Sequence, residues 1–118
     1  MKILRTNTAT ESDKKLQYQL TRNPNTQKLL DIANGEVVHV KGFCFYDDSK
    51  EGEKDKNILT ILTEKGVFGT NSKTAMDNMR DVLEFFEEEV DSGDGMPIKV
   101  STSVSKNNRT FILIEYAG

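Results

Sequence analysis

The chain holds one histidine and one cysteine, His39 and Cys44, both inside the stretch VHVKGFCFYDD, residues 38–48. Five residues apart on an extended segment, they point to opposite faces, and neither has a companion ligand. That spacing argues against a zinc site and against a Cys/His nucleophile pair alike. Asp47-Asp48 has the look of a divalent-cation dyad, but Lys50, Lys54 and Lys56 follow in the same loop and compete for both carboxylates. Turn-forming aspartate accounts for the pair better. Gly66 and Gly69 read as turn and strand glycines, since a dinucleotide fingerprint needs a strand-to-helix crossover. The expectation is a protein that is not an enzyme, with no catalytic residues, no metal and no cofactor. Cys44 reads as a small hydrophobe in a reducing cytoplasm.

Binding chemistry is better represented. If 36–46 is a regular strand, Val38, Val40, Cys44 and Tyr46 share one face and His39, Lys41, Phe43 and Phe45 the other. Two phenylalanines beside a lysine on the wetter face have the composition of a single-stranded nucleic-acid platform. A base gains ~1–3 kcal/mol by stacking on an aromatic ring while cations track the phosphates. The expectation is therefore that Cys44 and Tyr46 lean inward, with at least one of Phe43 and Phe45 available to ligand. A bulge at Gly42 would reverse this and send both phenylalanines into the core.

The elements that must position these residues follow from the rest of the chain. At 118 residues, 36% hydrophobic and 30% charged, it is one soluble domain. No apolar run approaches the ~20 residues of a membrane span, and MKILRTNTATESDKK lacks the apolar core of a signal peptide. Cytoplasmic localisation is expected. Segments 12–22 and 24–34 are helix-biased, with Pro24 in a first turn and Asn34-Gly35 as a stop. Residues 36–46 read as a strand, 47–57 as a charged loop, 58–63 and 67–70 as strands joined by a tight turn at Gly66. Ser72 caps a helix over 73–90, whose Met76, Met79, Leu83 and Phe86 form an apolar stripe flanked by Ala75 and Val82, with Phe85 off it. Ile98, Val100, Thr102 and Val104 alternate with polar residues along a strand, Asn107-Asn108 turns the chain, and 110–116 is its partner.

Strand, strand, strand, helix, strand, strand is the order of an OB-fold, a five-stranded, partly open Greek-key barrel with its helix between strands three and four. The single domain then divides into a helical N-terminal extension, 1–35, and an OB-like barrel, 36–118. Gly42 would provide the sharp bend such a first strand needs. A two-layer α+β sandwich uses the same elements and stays open as an alternative. In OB-folds the face around strands two and three and the loops joining strands one to two and four to five hold oligonucleotides. Here those loops carry Lys54 and Lys56, and Lys106 and Arg109, while Phe68 lies on the third strand. The candidate nucleic-acid-binding set is Lys41, Phe43, Phe45, Lys54, Lys56, Phe68, Lys106 and Arg109.

Four stretches carry a family resemblance: TNTATESDKKLQYQL, GFCFYDDSKEGE, GVFGTNSKTAMDNM and IKVSTSVSKNNRTFILIEY. In order and character the chain resembles the small single-stranded DNA-binding proteins of phages and mobile elements of Gram-positive bacteria. The resemblance implies protection of exposed DNA during replication or recombination, without sequence preference. The partners it brings are single-stranded DNA or RNA, further copies of the chain, and host or phage replication proteins, with no membrane. Bacterial-type single-strand binders end in a flexible acidic tail, whereas this sequence ends at Gly118 directly after a strand. Recruitment through a tail is not expected.

Charge supplies a competing reading. The net charge is −3, but Asp77 to Asp94 holds eight acidic residues against Arg80 alone, a local −7 that leaves the remainder at +4. Such a helix can imitate a phosphate backbone, so a small acidic inhibitor of a host nucleic-acid-acting protein (a DNA mimic or anti-defence protein) is the alternative.

Overall fold

The computed structural model describes residues 1–118. The chain begins with strand β1 (Lys2–Thr6), two short helices, α1 (Thr8–Glu11) and α2 (Lys14–Thr21), a two-residue strand β2 (Gln27–Lys28) and a 3-10 turn at Leu29–Asp31. Then come β3 (Glu36–Asp47), β4 (Asn57–Thr63), β5 (Gly66–Thr70), helix α3 (Lys73–Phe86), a second 3-10 turn at Glu87–Asp91, β6 (Met96–Val104) and β7 (Thr110–Tyr116). The strands form one sheet in the order β2-β5-β4-β3-β6-β7, with β1 added beside β3. The sheet is curled and open, a half-barrel. Only β2 and β5 run parallel.

β3 organises everything else. Its first part, Glu36–Val40, pairs with β6, and its last part, Cys44–Asp47, pairs with β1. β4 runs beside it from Val40 to Asp47, with a register shift between Val40 and Gly42. A strand side chain alternates faces with a period of two, and one extra residue inverts the alternation. Before the shift Val38 and Val40 face the main core. After it, Phe43 and Phe45 do, joining them in one cluster with Leu59, Ile61, Phe68, Met79, Leu83, Ile98 and Ile114. Cys44 and Tyr46 turn to the opposite face and pack with Leu20 and Val67 in a second, smaller cluster. The platform expected of Phe43 and Phe45 is therefore corrected: they are 0% and 2% exposed, and Phe68, at 5%, is core as well.

Phe43 pairs with Ile61 of β4 but lies in the gap between β6 and β1 on the other edge, where the N-terminal segment supplies its hydrogen bonds. The Phe43 N–H donates to Asn7 Oδ1 at 3.1 Å, and the Phe43 carbonyl accepts from the Thr6 hydroxyl at 2.5 Å. Asn7 is wholly buried and donates through Nδ2 to Asp91 at 2.8 Å. Gly42 is the contact point for this arm. A Cβ there would stand 3.3 Å from Thr10 Oγ1 and 3.6 Å from Leu20 Cδ1, so an added side chain would press on Thr10 of α1 while meeting Leu20 of α2 in ordinary contact. The close fit leaves the Thr10 hydroxyl buried without a partner.

Two expected helices are revised. Residues 24–34 do not form one: the Asn23 side chain accepts the Asn25 N–H at 2.9 Å and the Thr26 N–H bonds the Asn23 carbonyl. Such local bonds compete with helix formation. A 3-10 turn then suffices to bury Leu29, and Ile32 follows it into the core. The extension is thus a strand and two short helices with a β2 tail, not a purely helical segment. α3 stops at Phe86 and tightens into 3-10 geometry over Glu87–Asp91. Glu87, Glu88 and Glu89 stand at the negative end of the helix dipole, where carboxylates are disfavoured. α3 otherwise follows its stripe, burying Ala75, Met76, Met79, Val82 and Leu83. Phe86, half-buried, stacks on Tyr116 with ring centroids 3.6 Å apart. Ser72 caps it through Oγ to the Ala75 N–H.

Two substitutions test this packing by urea denaturation. Asn7→Ala should destabilise by ~1–3 kcal/mol because it strands the buried Phe43 amide; a neutral result would remove Asn7 from its role at the bulge. Leu83→Ala should cost ~2–5 kcal/mol, whereas Phe85→Ala, at a residue 75% exposed, should stay within ~0.5 kcal/mol. The reverse ranking would mean that α3 is rotated about its axis.

Candidate functional site

The two ends of the strand order, β2 and β7, contribute to one open cleft of about 760 Å³. Thr26–Leu30 line one side, Thr110–Ile112 of β7 another, and Ile58, Gly69, Thr70, Asn71 and Ser72 complete it. β2 reaches β5 because Gly69 carries no side chain: a Cβ there would lie 3.3 Å from Thr60 Cγ2 and 3.4 Å from Thr26 Cγ2. A second, smaller depression of about 400 Å³ shares Asn71 and adds Lys56, Asn57, Lys73, Met76, Asp77, Asp55 and Arg80. The two form a groove of mixed character, its apolar part supplied by Leu29, Leu30, Ile58, Phe111 and Ile112.

Both expected binding loops lead into this groove. The loop after β3 is stapled at its base. Asp47 Oδ1 accepts the Ser49 N–H at 2.8 Å and the Lys56 N–H at 3.1 Å, and the Asp48 N–H bonds the Lys56 carbonyl. These bonds, Ser49 foremost, hold the Asp47 carboxyl below its ordinary range. The folded pKa is depressed, so the staple is present above the ordinary carboxylate pKa and is lost as pH falls through the lowered value. The loop between β6 and β7 turns through Asn108, at φ 58°, and closes with the Arg109 N–H on Ser105 Oγ at 3.2 Å. Arg109 directly precedes the cleft residue Thr110.

The expected binding residues separate into three groups. Lys56 lines the smaller depression, with Lys54 two residues away and exposed, and Lys106 and Arg109 lie in the exposed turn before the cleft. Lys41 is exposed but belongs to the β3 bend, where its Cγ lies 3.3 Å from a Cβ built on Gly95, and it lines neither depression. Phe43, Phe45 and Phe68 are interior. Arginines close over two of these rings, Arg80 at 4.9 Å from the Phe45 centroid and Arg5 at 5.9 Å from that of Phe43. Sequence reasoning missed Lys28, Lys73 and the β7 start. Lys28 was hidden by the helical reading of 24–34, while Lys73, directly after the N-cap Ser72, was open to view.

Five of the sixteen lysines and arginines are held in ion pairs, and one of these pairs, Arg80–Asp77, lies in the smaller depression. Ion pairs engage Arg5, Arg22, Lys65, Arg80, Lys99 and His39. Lys28, Lys56, Lys73, Lys106 and Arg109 have no carboxylate within 4.0 Å. His39 is held by Glu64, which accepts both its backbone N–H and its ring Nδ1 contact at 2.7 Å. Cys44 lies under α2, and burial pushes its thiol up to about 11 against a smaller opposing effect of a Thr6 hydrogen bond. No family model, curated protein or solved structure matches the chain.

The buried, strongly protonated Cys44 should resist thiol reagents in the folded protein at pH 8 and react only on unfolding. Titration with a chromogenic disulfide, with and without denaturant, reads this directly. Stoichiometric labelling of the native protein would show that α2 opens readily from the sheet.

Proposed function

We propose that the groove between β2, β5 and β7 binds single-stranded nucleic acid, DNA in the first instance, without sequence preference. The supporting observation is the set of unpaired cations, Lys28, Lys56, Lys73, Lys106 and Arg109, around a groove with apolar side chains in its lining. A polyanion with flat apolar bases meets both requirements: phosphates on the ammonium and guanidinium groups, bases against Leu30, Ile58 and Phe111. The strand order β5-β4-β3-β6-β7 with α3 between β5 and β6 favours an OB-type barrel, whose oligonucleotides lie between the corresponding loops. Together with the sequence resemblance, this supports a role in holding exposed DNA during phage or mobile-element replication or recombination. Binding rests on phosphate contacts and shallow apolar packing, and the core phenylalanines contribute only through stability.

A second reading keeps one observation of its own. Phe85 stands 75% exposed on α3 between the exposed carboxylates Asp81, Glu84 and Glu88. An aromatic anchor in an acidic field suits an inhibitor of a nucleic-acid-binding host protein.

Fluorescence anisotropy with a labelled 30-mer oligothymidine at two salt concentrations separates the readings. Affinity should fall as salt rises. Lys56→Ala, Lys73→Ala and Arg109→Ala should each weaken binding and reduce the salt slope by up to ~1. Neutralising Glu84 and Glu88 should leave binding unchanged or tighter. Absence of binding at low salt would eliminate the nucleic-acid reading.

A further inference from the structure

Helix α2 carries a pattern that the groove does not use. Its buried side holds Leu20, with Leu16 and Gln17 half-buried. At ~100° per residue, Lys14, Lys15, Tyr18 and Arg22 fall within about 100° of arc on the opposite side. All four are exposed, and Tyr18 is 57% accessible. Its two fellow tyrosines are engaged, Tyr46 in the small core and Tyr116 against Phe86.

The ring stands more than half exposed, and its neighbours on that face of the helix are three cations. Their charge is not cancelled. The Asp13 carboxylate is occupied by the Lys15 and Leu16 amides as the helix cap. Arg22 meets Asp48 at 3.8 Å, with both side chains more than a third exposed, a loose contact of small energetic weight. Glu11 lies before the helix and pairs with no cation. The Arg22–Asp48 contact also sets the end of α2 beside the loop that carries Lys54 and Lys56. From Arg22 the chain needs only four residues to reach Thr26 and Lys28 in the cleft wall. The linking residues Asn23 to Gln27 carry no charge, so a short neutral stretch separates the helix cations from Lys28 in the groove.

We infer that the exposed face of α2 is an extension of the nucleic-acid site, with a base stacked on Tyr18 and phosphates on Lys14, Lys15 and Arg22. This rests on the groove reading above and lengthens its footprint. Lys14 to Arg22 spans ~12 Å of helix, enough for two or three further nucleotides at roughly 3.4 Å or more each. The occupant is the distal end of the strand already in the groove, because only a continuous polyanion joins the two cationic tracts.

Oligothymidines of 8 and 24 nucleotides test the extension with the full-length protein. Tyr18→Ala and the double variant Lys14→Ala/Lys15→Ala should weaken binding of the 24-mer by about 5-fold or more, and leave the 8-mer within 2-fold of the parent. Tyr18→Phe should retain parental affinity, since the ring stacks without its hydroxyl. It should also abolish most of the quenching of tyrosine fluorescence on DNA addition, because Tyr18 is the accessible fluorophore in a chain without tryptophan. If the parent binds both oligomers and the α2 variants match it on both, the extension is wrong and the groove stands. If the α2 variants weaken both lengths equally, the extension is also wrong. If the parent binds neither oligomer, groove and extension fall together.

Discussion

β3 has to belong to two pairings at once, and a single bulge makes that possible. Up to Val40 its free edge is filled by β6, and from Cys44 onward by β1. Between them, at Phe43, neither β6 nor β1 reaches this edge, although Phe43 stays paired with Ile61 of β4. A buried amide without a partner is costly, and here Asn7 accepts the Phe43 N–H and Thr6 bonds its carbonyl. The N-terminal arm is thus a structural necessity for the sheet. It supplies the hydrogen bonds of the bend, covers Cys44 and Tyr46 with Leu20, and occupies the space that Gly42 leaves free. The Thr60 hydroxyl fastens the arm a second time through the Leu20 carbonyl.

The same arm builds the groove. After α2 it turns at Asn23–Asn25, pairs with β5 through Gln27 and Lys28, and buries Leu29 and Ile32 in the main core. The sheet therefore does not close strand to strand. Its terminal members stand on either side of an open seam, and β7 satisfies part of its edge through α3, where Asn78 Oδ1 accepts the Ile114 N–H at 3.0 Å. An edge covered in this way offers little for sheet-to-sheet aggregation, while the uncovered start of β7 remains in the groove wall.

The half-barrel's five principal strands and α3 were legible because each has a strong local signal: alternation in 98–104 and 110–116, an apolar run at 58–63, a capped amphipathic stripe from Ser72. What the sequence concealed was parity. Phe43 and Phe45 share a face with Lys41 in an ideal strand; Gly42 marked where a bulge would reverse that, but nothing local decided whether it forms. The partner that stabilises the bulge, Asn7, lies 36 residues earlier in a polar segment with no periodic signal. β1 was invisible for the same reason, since its pairing comes from the vacancy beside β3 and not from its own pattern. Of the proposed site, Lys56 and Arg109 were readable as loop cations, whereas Lys28 depended on a two-residue strand set by Gly69.

α3 carries Lys73 in its first turn beside Lys56, and runs ~21 Å to a terminus where Glu87, Glu88 and Glu89 follow one another. Arg5 and Tyr116 engage two of these glutamates, but the acidic residues remain gathered at that end. The molecule is thus nearly neutral and yet polarised. In solution an approaching polyanion exerts a torque on it before any contact forms, turning the lysine end forward and the glutamate end back. Encounters in the wrong orientation are repelled and not trapped, and this selection acts only within a Debye length, ~8 Å at physiological ionic strength. Under the proposed function, this is how a chain with a net charge of −3 would meet a negatively charged polymer with one face and remain separated from it on the other.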